Sequence, residues 1–338
     1  MTLEESNSIK KIHTKFFILI LFVLLFISGF FFSLGNGAVK ISNIDIIRGI
    51  LGNVNDTNFQ IIWNVRLPRT IVAALVGISL SLSGVILQGI MRNPLAGPNI
   101  IGVSAGGGFF GIAIMILFPN FYYLVPFGAF LGALSATLLI YKLAYKEGAS
   151  PTRLVLAGVA ISSLFSSGTN TLMTFFPDRV EGVLSFMVGG LSAITWRDVK
   201  QILPFTLLGI FTIFFMPNKL NILMLGDEVA TGLGIKVERT RFILIIISSI
   251  LAGASVSVVG MLGFVGLIVP HMARLFIGSD YRFLIPATVF LGGGIVMICD
   301  TLARILFIPM EIPVGIIMSA LGAPFFLYLL RTRKEYKK

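Results

Sequence analysis

The sequence predicts an all-α polytopic membrane protein of about ten transmembrane helices, with both termini on the cytoplasmic side. Three observations predict it. Of 338 residues, 56% are hydrophobic and 12% charged, with a mean hydropathy of +0.96; a soluble domain carries about a quarter charged residues. Apolar runs long enough to cross a bilayer as helices recur along the whole chain. Those runs lack the short polar/apolar alternation of a membrane β-strand. The same composition excludes a soluble enzyme and a disordered chain, and a single cysteine, Cys299, excludes an internal disulfide.

In order, the first run (16–34) follows a basic flank. It is longer than the apolar core of a secretory leader, about 7–15 residues, and Ser28-Gly29 is followed by three phenylalanines, a poor cleavage site. An uncleaved first helix is the expectation. The second run (68–91) opens at Leu67-Pro68 between two arginines. The third (99–118) carries the glycines Gly102, Gly106, Gly107, Gly108 and Gly111, and the fourth (122–144) carries Gly128 and Gly132, small residues that let helices approach closely. Runs at 152–175, 199–216, 240–261, 263–277, 283–303 and 313–331 complete the set. Several are broken by glycine or proline, which a membrane tolerates only where protein or a water-filled cavity covers the freed backbone. The broken third and eighth runs are candidate counterparts in an inverted repeat.

An even number of crossings puts both termini on one side. Most of the 26 lysines and arginines then fall on that side, which makes it the cytoplasm. Orientation thus accounts for the net charge of +11, and a nucleic-acid partner is not expected. The expected organisation is a cytoplasmic tail (1–15), one transmembrane domain (16–331) and a second cytoplasmic tail (332–338). The long connections are 35–66 and 176–198 outside and 217–239 inside.

No phosphate-loop pattern and no Gly-Lys dipeptide occurs, so the chain has no nucleotide site of its own. His13 and His271 lie far apart, no group of ligands has metal-binding spacing, and no cofactor is expected. Carboxylates are nearly missing from the apolar runs, Asp300 being the main exception. That scarcity argues against ion coupling and intramembrane proteolysis, and for energy supplied by another chain.

Two features stand out. Inside, Gly226, Asp227, Glu228, Ala230, Gly232 and Gly234 outline a short helix between glycine stops. Its acidic first turn suits the helix dipole, by about 0.3–1 kcal/mol per charge, and Ala230 and Gly232 offer a smooth surface to a partner. The alternative is an ordinary amphipathic loop. Outside, Arg66, Arg69 and Arg304 oppose the orientation rule. Arginine forks suit the carboxylates of a docking partner; lipid headgroups, or an internal i, i+4 pair of Arg304 with Asp300, are the alternatives. Methionines such as Met173, Met261, Met297 and Met318 suit either a soft apolar path or packing.

Several motifs resemble the iron-siderophore, haem and cobalamin permeases of bacterial ABC importers. They are Arg66-Leu67-Pro68-Arg69-Thr70, Gly84-Val85-Ile86-Leu87-Gln88, Asn93-Pro94-Leu95-Ala96-Gly97-Pro98 and Ile101-Gly102-Val103-Ser104-Ala105-Gly106. Gly263-Phe264-Val265-Gly266 through Pro270-His271-Met272-Ala273-Arg274, and Glu311-Ile312-Pro313-Val314-Gly315 through Gly322-Ala323-Pro324-Phe325, extend the likeness over about residues 16–331. The resemblance implies the type II importer architecture in a bacterial cytoplasmic membrane, with a second permease copy or paralogue. It implies two ATPase subunits that receive the helix at about 226–234. It implies an extracytoplasmic binding protein whose carboxylates meet Arg66, Arg69 and Arg304. The implied path runs along the fifth and tenth segments, near Thr169, Met173, Met318 and Gly322. The implied cargo is a ferric siderophore, with haem or cobalamin as alternatives, moved by alternating access. A stand-alone secondary transporter is the reading from a different class.

Overall fold

A computed structural model describes residues 3–37, 57–99, 101–145 and 150–332. Most of the outer stretch 35–66 and residues 333–338 of the C-terminal tail lie outside the described residues.

The described residues are overwhelmingly helical, as apolar chain in a membrane must be, since a helix satisfies its backbone groups within itself. The helices are α1 (Leu3–Gly35), α2 (Thr57–Ile61), α3 (Leu67–Ile90), α4 (Val103–Leu117), α5 (Val125–Ala144), α6 (Pro151–Phe175) and α7 (Glu181–Val188). They continue with α8 (Trp196–Phe214), α9 (Pro217–Leu223), α10 (Asp227–Gly232), α11 (Val237–Val259), α12 (Val265–Ile277), α13 (Tyr281–Ile305) and α14 (Val314–Thr332). Every apolar run of the sequence contains a helix. Six stretches are long and apolar enough to cross a bilayer: Ile12–Gly35, Phe59–Ile90, Pro119–Ala144, Pro151–Phe175, Val237–Val259 and Tyr281–Ile305. The pair α8 and α9, bent by 65°, makes a broken seventh. Three apolar helices are shorter: Val103–Leu117, Val265–Ile277 and Val314–Tyr328. The N-terminal segment expected as a tail is helical from Leu3, and α7, α9 and α10 are short helices within the expected outer and inner connections.

Local chemistry sets the ends. Proline opens α3, α5, α6 and α9, where its missing N–H costs nothing. Ser150 caps α6, Asp280 caps α13, and Thr195 with Asp198 forms a capping box at α8.

The core is α3. It is apolar all round, and 94% of its most apolar stretch is buried, against 22% for α1 and for α6. It packs on α13, α11, α12 and α8, while α1 covers the far side of α13. The helices α4, α5 and α6 pack together and join the core where α5 and α4 meet α11. Close approach depends on small residues: a Cβ on Gly84 would overlap the Gly266 backbone, so the second and fifth sequence motifs meet there. Buried hydroxyl pairs tie helices together: Ser33–Thr70 at 2.7 Å, Ser79–Thr206 and Ser83–Ser248 at 2.8 Å, and Ser249–Thr137 at 2.7 Å. Each is worth about 0.6 kcal/mol, so they set register more than stability.

Candidate functional site

The C-terminal ends of α1 and α13 and the N-terminal end of α3 gather the three arginines singled out in the sequence. Entry to α3 through a π-helical turn, Ile62–Arg66, sets Arg66 and Arg69 near the start of that helix. All three side chains are buried rather than displayed: Arg66 is 4% exposed, Arg69 7% and Arg304 5%. Arg69 donates to Asp300 through Nε at 3.0 Å and Nη2 at 3.0 Å, and to Glu311 through Nη1 at 2.7 Å. Arg304 makes an ion contact to Asp300 at 3.2 Å. It also donates to the Ser33 hydroxyl (2.9 Å), the Ser33 and Asn36 carbonyls and the Thr301 hydroxyl. Arg66 donates to the Leu34 carbonyl at 2.7 Å. The internal pairing of Arg304 with Asp300 is therefore formed, and α1 supplies most of the neutral acceptors. The sequence reading missed Glu311 as a partner, although it lies in a quoted motif. Beyond Arg304 the chain carries four exposed large apolar side chains, Leu306, Phe307, Ile308 and Met310.

The path residues fall differently. Thr169 is buried and donates to the Phe165 carbonyl. Met173 packs against the cluster of Ile112, Met115 and Val183. Met318 is buried and lines an apolar cavity of about 320 Å³ with Met272, Cys299, Leu302 and Phe325. Gly322 lies against the Phe264 ring, and Phe264 itself holds a left-handed backbone (φ +66°). None of these four path residues forms the open face of α6. That face carries Ser163, Ser166, Ser167, Asn170, Thr171 and Thr174, all exposed, together with the exposed Leu156, Val159 and Leu164. The Ser163, Thr171 and Thr174 hydroxyls donate to carbonyls one turn back, which leaves their oxygens able to accept.

At the opposite end lies the glycine-bounded helix. Gly226 (φ +116°) and Gly234 (φ +81°) occupy backbone regions that favour glycine and bracket α10. The Asp227 carboxylate accepts two bonds from Arg241 of α11, both 2.9 Å, and one from Arg92 at 3.1 Å. Arg241 also holds Glu238 at 2.7 Å. Ala230 is fully buried and points into the protein, so it is not part of a partner-facing surface. The outward face is Leu225, Glu228, Val229, Thr231, Gly232 and Leu233, and no atom lies within contact distance of a Cβ built on Gly232 or Gly234. Two further ties run from this end into the bundle. Asn221 of α9 donates to Asp280 at 3.0 Å and accepts from the Tyr281 N–H. Arg274 of α12 donates to Gln88 of α3 at 2.9 Å. Arginine and asparagine at these positions carried no signal in the sequence, because their partners are remote in the chain.

The hydrogen bonds of Arg282, with Asn221 and the Arg282 N–H adding to them, hold the Asp280 carboxyl well below the usual carboxylate range, against a smaller opposing effect of burial. Among the described residues, no group of His, Cys, Asp and Glu is arranged to hold a metal ion.

Comparison with known proteins gives a consistent picture. Residues 23–332 match the model of the FecCD transport family. The chain is 41% identical over 315 residues to the Fe(3+)-citrate import system permease protein YfmE of Bacillus subtilis, covering 93% of this chain and 94% of that one. It is 40% identical over 282 residues to the cobalamin import system permease protein BtuC of Halobacterium salinarum, covering 83% and 76%. Among solved structures it matches one described as an inward-facing conformation of a metal-chelate type ABC transporter. There the TM-score is 0.84, with 30% identity, 93% of this chain and 99% of that chain covered.

Proposed function

Because this chain belongs to the FecCD transport family, a family of membrane permeases, we propose that it carries a ferric siderophore or related metal chelate across the cytoplasmic membrane by alternating access. Similarity to permeases named for ferric citrate and for cobalamin supports the chelate class. The carrying observation is the open face of α6. Serine, threonine and asparagine side chains on a membrane helix are costly against lipid. Toward a second permease subunit they instead wall a wet, uncharged passage that can hydrogen-bond a polar chelate through many acceptors. The α6 span has a mean hydropathy of 1.2, the lowest of the six long spans.

In this reading the chain crosses the membrane about ten times, with both termini inside and the three shorter helices counted as crossings. ATP hydrolysis belongs to two partner ATPases. Their groove receives α10 and its apolar neighbours Leu225, Val229 and Leu233. The bonds of Asp227 to Arg92 and Arg241 make α10, the end of α3 and the start of α11 move as one piece. An extracytoplasmic binding protein docks over Arg66, Arg69 and Arg304, with the apolar segment 306–310 within the contact.

Affinity purification in mild detergent, followed by mass spectrometry and by uptake of iron-55 chelates into proteoliposomes, tests the whole assignment. The expected result is a co-purifying ATPase and a binding protein, with ATP-dependent uptake of a ferric chelate. A chain that purifies alone from several gentle detergents, at full expression, and moves no chelate would overturn it in favour of a stand-alone transporter.

A further inference from the structure

The two carboxylates on Arg69 are not equivalent. Asp300 is completely buried, takes Nε and Nη2 of Arg69 together, and also faces Arg304. Glu311 takes a single bond from Nη1, and its side chain is 42% exposed. Asp300 sits within helix α13, whereas Glu311 lies on the non-helical stretch between α13 and α14.

We propose that Glu311 is the exchangeable carboxylate of this cluster: an acidic side chain of the docking protein replaces it on Arg69, and the replacement frees the segment leading into α14. The inference rests on the docking reading above and adds what docking does.

Charge favours an exchange over a simple departure. Asp300 and Glu311 are the two carboxylates on Arg69 and Arg304, and the buried Arg66 guanidinium adds a third positive charge to the same cluster. If Glu311 leaves alone, Asp300 serves both arginines, and a largely buried positive charge is uncompensated, which is costly. A carboxylate arriving from outside restores the balance, and Arg69 is already oriented by Asp300 to accept it in fork geometry.

Glu311 is also the only charged tie of its segment among the described contacts. The other anchors are backbone bonds, from the Ile312 N–H to the Ala303 carbonyl at 3.3 Å and from the Gly315 N–H to the Gly189 carbonyl at 3.0 Å. Next to it stand Leu306, Phe307, Ile308 and Met310, between 55% and 70% exposed. A charged exchange point beside exposed apolar side chains has the make-up of an interface centre. The loosened element is the entry to α14, which packs on α12, α13 and α7.

The test uses the assembled transporter in nanodiscs and the binding protein recovered with it in the co-purification. Glu311→Gln removes the competing charge and is expected to tighten docking by about tenfold, the equivalent of roughly 1.4 kcal/mol. A spin label on Met310→Cys, introduced with Cys299→Ala, is expected to become mobile when the binding protein is added to the parent transporter. It should already be mobile in Glu311→Gln. Should Glu311→Gln fail to assemble, Glu311→Asp keeps the charge but shortens its reach, and a smaller tightening is expected. Unchanged or weaker docking in the Glu311 variants, with docking lost in Arg66→Glu/Arg69→Glu, would overturn the exchange and leave the docking site standing. Docking unaffected by the arginine variants as well would overturn both, as would recovery of no binding protein at all.

Discussion

Charged side chains in this molecule are spent on one another. Arg69 and Arg304 are buried with Asp300 at one end of the bundle, whereas at the other end buried Arg241 meets the exposed carboxylates of Asp227 and Glu238. Breaking such a buried pair by removing one partner costs roughly 3–5 kcal/mol, several times a hydroxyl pair in a membrane at about 0.6 kcal/mol. The buried Asp300 cluster therefore dominates the polar energetics, and the hydroxyl pairs bias register. From the sequence, the i, i+4 spacing exposed the link between Asp300 and Arg304, but nothing local exposed Arg69 to Glu311, which are 242 positions apart. A separation of that size has no periodic signature. Asp280 supplies a prediction at this scale. Its folded pKa lies below the unfolded value, so its stabilisation is fully present above the unfolded carboxylate range and is lost only as pH falls through the lowered value. Thermal unfolding of the parent and of Asp280→Ala should therefore differ by a constant amount, about 1 kcal/mol for a lost cap, across about pH 5–8. A difference that shrank toward pH 5 would contradict the lowered pKa.

Helices were legible where composition alone defines them. Each apolar run holds a helix because a membrane leaves the backbone no other economical option. Less legible were the ends: α4 and α12 are short, and α8 breaks by 65° into α9 at Phe215 and Met216. Pro217 stands directly after the α8–α9 break without fixing its angle, and close approaches such as Gly84 with Gly266 join residues too far apart in the chain to leave a local signal. The glycine stops around α10 were legible for a physical reason, since the backbone there takes values that other residues resist. Its faces were not, because six residues are too few for a pattern to say that Ala230 turns inward. The corrected face separates two variants. Gly232→Trp adds bulk on the exposed side, and should leave the melting temperature unchanged while uptake falls at least about tenfold and ATP hydrolysis persists. Asp227→Ala should produce the same uncoupling by cutting α10 loose from Arg92 and Arg241. Parallel measurements of hydrolysis and uptake in proteoliposomes check both, and coupled transport at the parent rate in either would place the mechanical link elsewhere.

At the scale of the molecule, burial is lopsided. The bundle closes around α3 and leaves α6 open along a polar face, which a second subunit would complete. The sequence reading did not single out that face, and the four path residues inherited from the resemblance pack inward or beside other helices. A water-soluble thiol reagent distinguishes the two surfaces. Asn170→Cys, made with Cys299→Ala, should be labelled from the aqueous phase in membranes, whereas Phe211→Cys on the outside of α8 should not. Equal, negligible labelling at both sites would show that the α6 face is dry.

The way α1 is fastened has a bearing on biogenesis. The Ser33 and Asn36 carbonyls that receive Arg304 are separated from it by 271 and 268 positions, so the end of α1 that α3 already holds through Thr70 and Arg66 gains its last ties only when α13 is in place. Until α13 arrives, Arg69 lacks Asp300, and a chain stalled before that point carries more unbalanced positive charge there than a finished one. Removing the first helix would take away the acceptors that Arg66 and Arg304 use.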